Sequence, residues 1–135
     1  MTLRLLDTNI LSDLVRNPQG VVADRLRKVG DADICTSVIV AAELRFGAEK
    51  KGSKQLADRV AAILDTMEVL PIATPADATY ATIRTSLEKA VRPMGANDLL
   101  IASQAVTLGC ILVTDNEQEF RRIRGLSLEN WLRRR

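Results

Sequence analysis

Residues 3–14 read Leu-Arg-Leu-Leu-Asp-Thr-Asn-Ile-Leu-Ser-Asp-Leu. The apolar run Leu3–Leu6 has the length and character of a short buried strand, and it ends abruptly in a carboxylate, Asp7. Thr8 and Asn9 follow, and apolar spacing resumes over Ile10–Val15 at a helical period. A strand that runs into a helix through a single acid opens an α/β unit, and the rest of the chain repeats that alternation.

Val21–Val29 reads as a second helix, set off by Asn17-Pro18 and Gly20. Ile34–Thr36 is a brief strand, and Val38–Lys50 a helix with Ser37 as its cap. After Ser53 the stripe Leu56, Val60, Ile63, Leu64 and Met67 marks another helix, and Val69–Ile72 returns to strand. The next helix has Thr74 as expected cap, Pro75 in its first turn and Asp77 three residues past the cap. Ala76, Tyr80, Ile83, Leu87 and Ala90 carry its period, and Pro93 and Gly95 end it. Asp98–Leu108, capped by Asn97 and stopped by Gly109, is apolar on nearly every side, as suits a helix between layers. Cys110–Thr114 is the last core strand, and Leu126–Leu128 an edge strand. Short apolar strands separated by helices predict an α/β fold with a mostly parallel sheet. With 135 residues, no linker and no internal repeat, residues 1–135 are expected to form one domain.

The composition narrows the chemistry. There is no histidine, which removes serine-type triads, imidazole bases and imidazole-held zinc. Cys35 and Cys110 lie far apart inside apolar runs and read as buried, reduced and structural. No apolar run is long enough to span a membrane, and the amino terminus lacks the layout of a secretory signal, so the expected compartment is the cytoplasm. Net charge is only +2, yet the end FRRIRGLSLENWLRRR carries six arginines against one glutamate. Arg25, Arg27 and Lys28 form a second basic group, and Lys50, Lys51 and Lys54 a third. Such groups attract phosphate backbones, or are simply solvated.

In parallel sheets, sites form beyond the carboxyl ends of the strands. Asp7 follows the first strand and Asp115 the last core strand. Asp98 opens the apolar helix, where the free amides favour an acid for structural reasons as well. Glu43 shares a helix face with Ile39 and Phe46; a buried, unpaired carboxylate there costs several kcal/mol unless a cation stands opposite. Four carboxylates at one edge repel without a counter-ion. An all-oxygen donor set suits Mg²⁺ or Mn²⁺, and such a centre supports in-line attack on a phosphodiester.

At these residues the chain resembles the PIN-domain ribonucleases of the VapC toxin type. LLDTNIL carries the family's opening acid at Asp7 and its Asn at Asn9. TSVIVAAELRFGAEK carries Glu43 with Ser37, and ANDLLIASQA carries Asp98. VTDNEQEF with RIRGLSLENW matches the closing segment, so the likeness runs from residue 3 to 131. The fourth acid varies in place within the family. Asn116 stands in the column where relatives carry Asp, leaving Asp115 and Glu119 as candidates; Asp115 is favoured because it directly follows the strand.

The resemblance implies a three-layer α/β/α sandwich, with Asp7, Glu43, Asp98 and Asp115 as catalytic and metal-holding residues. It also implies a Mg²⁺- or Mn²⁺-dependent endoribonuclease, held inactive by a cognate VapB-type antitoxin whose tail crosses the active-site groove. A homodimer is expected, with promoter DNA bound only through the antitoxin. Enzymes with such a closing segment include some that cut initiator tRNA, so the expected substrate leans that way. Asn9, Ser37, Thr114, Asn116 and Glu119 are secondary candidates; Asn9 serves equally well as a helix-start residue, while Thr8 reads as structural and Ser37 as a cap. Arg84 reads as solvated, and Arg133–Arg135 as able to grip RNA. With four aromatic residues in all, base stacking is not expected to dominate recognition. Two rivals differ in class. An Asp-nucleophile phosphatase would want an acid two residues after Asp7, where this chain has Asn9. A non-catalytic PIN-like module would bind RNA or a partner without cutting.

Overall fold

The apolar run at the amino end becomes the middle of the sheet. In the computed structural model, which describes residues 2–133, β1 (Arg4–Leu6) lies between β2 (Ile34–Ser37) and β4 (Ile111–Val113), with Leu5 opposite both Cys35 and Leu112. β3 (Glu68–Leu70) flanks β2, and β5 (Ser127–Glu129) flanks β4. The order is β3-β2-β1-β4-β5, every neighbouring pair parallel. Parallel neighbours require crossovers, and the chain supplies helices for them: α1 (Thr8–Arg16), α2 (Val21–Val29), α3 (Val38–Lys51), α4 (Lys54–Leu64), α5 (Ala76–Lys89), α6 (Ala96–Leu108) and the single turn α7 (Glu117–Phe120). From β1 the strands advance one way to β3, and then from β1 the other way to β5. Right-handed crossovers therefore distribute helices over both faces, giving the α/β/α sandwich.

This order has a consequence for the site. The direction reverses between β1 and β4, and the crevice beyond the carboxyl ends at such a reversal is where ligands bind in open α/β sheets. Asp7 and Thr114 are the residues that step off those two strands.

Leu5, Leu6, Ile10, Leu11, Ile101, Leu112 and Val113 are all fully inaccessible and fix the sheet against its helices. The nearly all-apolar α6 buries Leu99 and Ile101–Ala105, as a helix between layers should, and Gly109 stops it in the left-handed region at φ 67°. Cys35 and Cys110 are buried and free, and burial pushes the Cys35 thiol up to about 12. Among the described residues no helix is long and apolar enough to cross a membrane.

The start and end of α5 differ from expectation. Thr74 does not cap it. Pro75 occupies the cap position, and its carbonyl accepts from the Ala78 and Thr79 amides, so the first turn begins at Ala76. Nor does α5 run on to Pro93. It closes at Lys89 in a Schellman motif: the Val91 amide donates to Glu88 O and the Arg92 amide to Leu87 O. Val91 holds the left-handed position of that motif at φ 55°, where a glycine is usual. The sequence shows no signal for such a stop, because β-branched residues disfavour it. The start of α6 also shifts: Gly95 is its cap, and Asn97 lies inside the first turn, free for another role.

Candidate metal centre

Asp7 serves as the cap of α1. Its extended backbone turns the chain from strand to helix, and its Oδ1 accepts from the Thr8 amide at 2.8 Å. The side chain is buried, with 3% exposure. Its Oδ2 accepts from the Thr114 hydroxyl at 2.8 Å, across the β1–β4 crevice. Burial raises the Asp7 pKa, and the Glu43 charge adds to the rise, while the Thr114 and Thr8 hydrogen bonds oppose it.

Since Asp7 caps the helix itself, Thr8 and Asn9 are released from that task. The Thr8 hydroxyl donates to Glu43 Oε1 at 2.5 Å. Asn9 bridges the crevice: its Nδ2 donates to Thr114 Oγ1 at 3.3 Å, and its Oδ1 accepts from the Asp115 amide at 3.0 Å. Thr114 also accepts from the Asn116 amide, so one hydroxyl ties Asp7, Asn9 and the β4–α7 turn together. Ser37 acts as the cap of α3, accepting from the Ile39 amide.

Glu43 stands at the edge of α3's buried stripe rather than within it. The core-facing residues are Val40, Ala41, Leu44 and Ala48, and Phe46 is 64% exposed. The protein groups facing Glu43 are neutral donors: Thr8 on one oxygen, and Asn97 Nδ2 at 3.4 Å on the other. A half-buried carboxylate keeps enough water to be held by two such donors. Asp98, the next residue along α6, is pushed up to about 6, first by burial and then by the charges of Asp7, Glu43 and Glu119. Four acids from four elements thus act on one another at the sheet's carboxyl edge.

Comparison with known proteins gives the family of the chain. Residues 4–126 match the PIN domain family. The chain belongs to the PIN-domain family. It is 36% identical over 129 residues to Ribonuclease VapC2 of Rickettsia felis, covering 94% of this chain and 96% of that one. It is 34% identical over 131 residues to a Shigella flexneri protein named tRNA(fMet)-specific endonuclease VapC, with the same coverage. Among solved structures it resembles the Rickettsia felis VapBC2 crystal structure bound to a DNA fragment from their promoter, with a TM-score of 0.90 at 34% identity over 96% of this chain and 99% of that one.

Within this PIN domain the two candidates for the fourth acid stand differently. Asp115 is exposed, and its Oδ1 accepts from Asn130 Nδ2 at 3.1 Å. Glu119, on α7, lies close enough to Asp98 for its charge to raise that carboxyl, and its Oε1 accepts from Arg122 at 2.8 Å. Asn116 is the cap residue of α7 but makes no side-chain cap bond.

Among the described residues no three acidic or cysteine side chains stand together as a ready ligand set. Hydroxyls and amides take up carboxylate oxygens of Asp7 and Glu43 instead. The donor set still fits a hard divalent cation. Mg²⁺ takes one or two carboxylates directly and keeps several waters, which the remaining acids can hold. PIN-domain nucleases generally depend on a divalent metal.

Sequence reasoning undervalued Thr8 and assigned Asn97 to a cap. It missed Thr36, whose buried hydroxyl donates to Leu6 O at 2.7 Å and steadies the end of β1 beside Asp7. Of the basic groups, Arg84 pairs with Glu88 and with the Tyr80 hydroxyl, Arg27 with Asp24 and Arg133 with Glu117. Arg134 and Arg135 lie outside the described residues.

A shallow groove of about 170 Å³ between α1, α3 and α4 leads to Thr8 and Glu43. Val15, Leu44 and Val60 line it, and Arg16 and Lys51 are among its polar residues.

Proposed function

We propose that this PIN domain is an endoribonuclease toxin that hydrolyses RNA phosphodiester bonds with Mg²⁺, or Mn²⁺ in its place. Asp7, Glu43 and Asp98 hold the ion, directly or through water. Glu119 is the better-supported fourth acid, because its charge reaches Asp98, and Asp115 remains the alternative at the rim. The observation that carries the reading is the placement of Asp7, Glu43 and Asp98 at the reversal point of the sheet, where Thr114 holds Asp7 and Thr8 and Asn97 hold Glu43.

A divalent cation in this place supplies Lewis acidity, which favours attack by water at neutral pH and offsets charge on the phosphoryl group. The chain's own groups do the rest. Thr114 and Thr8 fix the carboxylate oxygens of Asp7 and Glu43. Asn9 and Asn97 fix the neighbouring turns. The Asp98 carboxyl, raised by burial and by its acidic neighbours, gives up its proton when a cation binds there.

The apolar groove with Arg16 and Lys51 suits an antitoxin segment of mixed character, so a cognate VapB-type antitoxin is the proposed inhibitor and promoter DNA is bound only through it. The Shigella relative is named for cutting tRNA(fMet), which makes initiator tRNA the first substrate to try. A single domain over residues 1–135, a homodimer and a cytoplasmic location complete the proposal.

The test is cleavage of purified tRNA by the full chain with Mg²⁺. Cutting is expected, and it should disappear with a chelator and fall at least about a hundred-fold in Asp7→Ala. RNA binding that survives both changes, with no cut in the wild type, would make the protein a binding module.

A further inference from the structure

Arg122 takes no part in the fold's core and is not one of the acids, yet its guanidinium is the most fully used cation near them. Its Nε donates to Glu119 O at 3.1 Å and its Nη2 to Glu119 Oε1 at 2.8 Å. Its Nη1 donates to Arg92 O at 2.9 Å, and Nη2 also reaches Pro93 O at 3.5 Å. The side chain is only 17% exposed. One planar fork thus joins two segments that meet nowhere else through such bonds: α7, which carries Glu119, and the α5–α6 connection, which leads through Gly95 into Asp98.

The second observation concerns that connection. It leaves α5 through Val91 at φ 55°, a conformation a β-branched residue adopts only when its surroundings impose it. Val91 is 83% exposed, so its own side chain does not impose it. The two carbonyls directly after it are those that Arg122 grips.

We propose that Arg122 is a positioning residue that sets the separation of Glu119 from Asp98, and through it the affinity of the site for a divalent cation. The inference rests on the acids being a cation site, as proposed above. Arginine suits the task where lysine does not, because only a planar fork satisfies a carboxylate and three carbonyls at once.

Mn²⁺ binding to the full chain, measured by calorimetry without RNA, tests this. Arg122→Ala should weaken Mn²⁺ binding about ten-fold, the usual loss when a residue supporting metal ligands is removed. Arg122→Lys, which keeps the charge but not the fork, should fail to restore it. In a Glu119→Gln background, Arg122→Ala should cost less than it does alone, because its effect passes through Glu119. Rescue by Lys, or losses that multiply in full, would overturn the proposal while leaving the cation site intact. Should Arg122→Ala fail to fold, the same cycle with Arg122→Lys decides. A wild-type chain that binds no Mn²⁺ would overturn the underlying reading as well.

Discussion

Asp7 can both cap α1 and face the crevice because one carboxylate oxygen serves the Thr8 amide while the other takes the Thr114 hydroxyl. That division of labour leaves Thr8 free to hold Glu43. Thr8→Val keeps the shape and removes the hydroxyl, so cleavage should drop about ten-fold while stability falls by about 1 kcal/mol; a tRNA cleavage assay beside a thermal melt separates the two. Asp98 gives a prediction in pH. Its folded pKa of about 6 lies above its ordinary 3.8, so the folded chain binds this proton more tightly than the unfolded chain does. Its contribution to stability is therefore full below about pH 4 and is lost as pH rises through about 6. Asp98→Asn carries no such charge. Without metal, its melting temperature relative to wild type should climb between about pH 4 and 6 and stay level above about 7. Glu117 and Glu129 are lowered and act in the opposite sense, but they are common to both proteins and cancel in the difference. At this scale the acids were legible, because strand ends and a helix start announce them. Their partners were not. Threonine and asparagine cap helices as readily as they hold carboxylates, and only the fold shows which task Thr8, Asn97 and Thr36 perform.

The elements themselves followed from periodicity and punctuation. The Ser37 cap of α3, the helix after Ser53, the Gly109 stop and the apolar α6 all stand where spacing and local residue chemistry put them. The exceptions lie at the start of α6, which Gly95 caps in place of Asn97, and at the ends of α5, where hydrogen bonds override the usual residue preferences. Pro75 takes the cap position in place of Thr74, and Val91 closes a motif that normally wants glycine. Val91 is exposed, so replacing it sacrifices little packing. Val91→Asn should therefore stabilise the protein by about 1 kcal/mol, since asparagine tolerates the left-handed region better; a urea melt with an unchanged slope would register it. A loss of stability would mean that Val91 makes packing contacts that offset its strain.

For the whole molecule, alternation of strands and helices was enough to expect a parallel sheet, but not its order. Strands of three or four residues carry no signal for their neighbours, and the reversal between β1 and β4 appears only in the register of the sheet. That reversal is what brings residues 7, 98 and 119 to the same edge as residue 43. The charge pattern was legible as composition, and the fold shows which of its groups are paired. Glu117 takes both Arg121 and Arg133, and Arg25 lies 5.5 Å over the buried Trp131 ring, so much of the basic carboxyl end is engaged by the protein itself.

Diffraction from manganese-soaked crystals, recorded at the manganese absorption edge, tests the central claim most directly. An anomalous peak is expected at the carboxyl edge of β1 and β4, within roughly 2.5 Å of an oxygen of Asp7 or Asp98. A clean map with no peak among Asp7, Glu43, Asp98 and Glu119 would contradict the account.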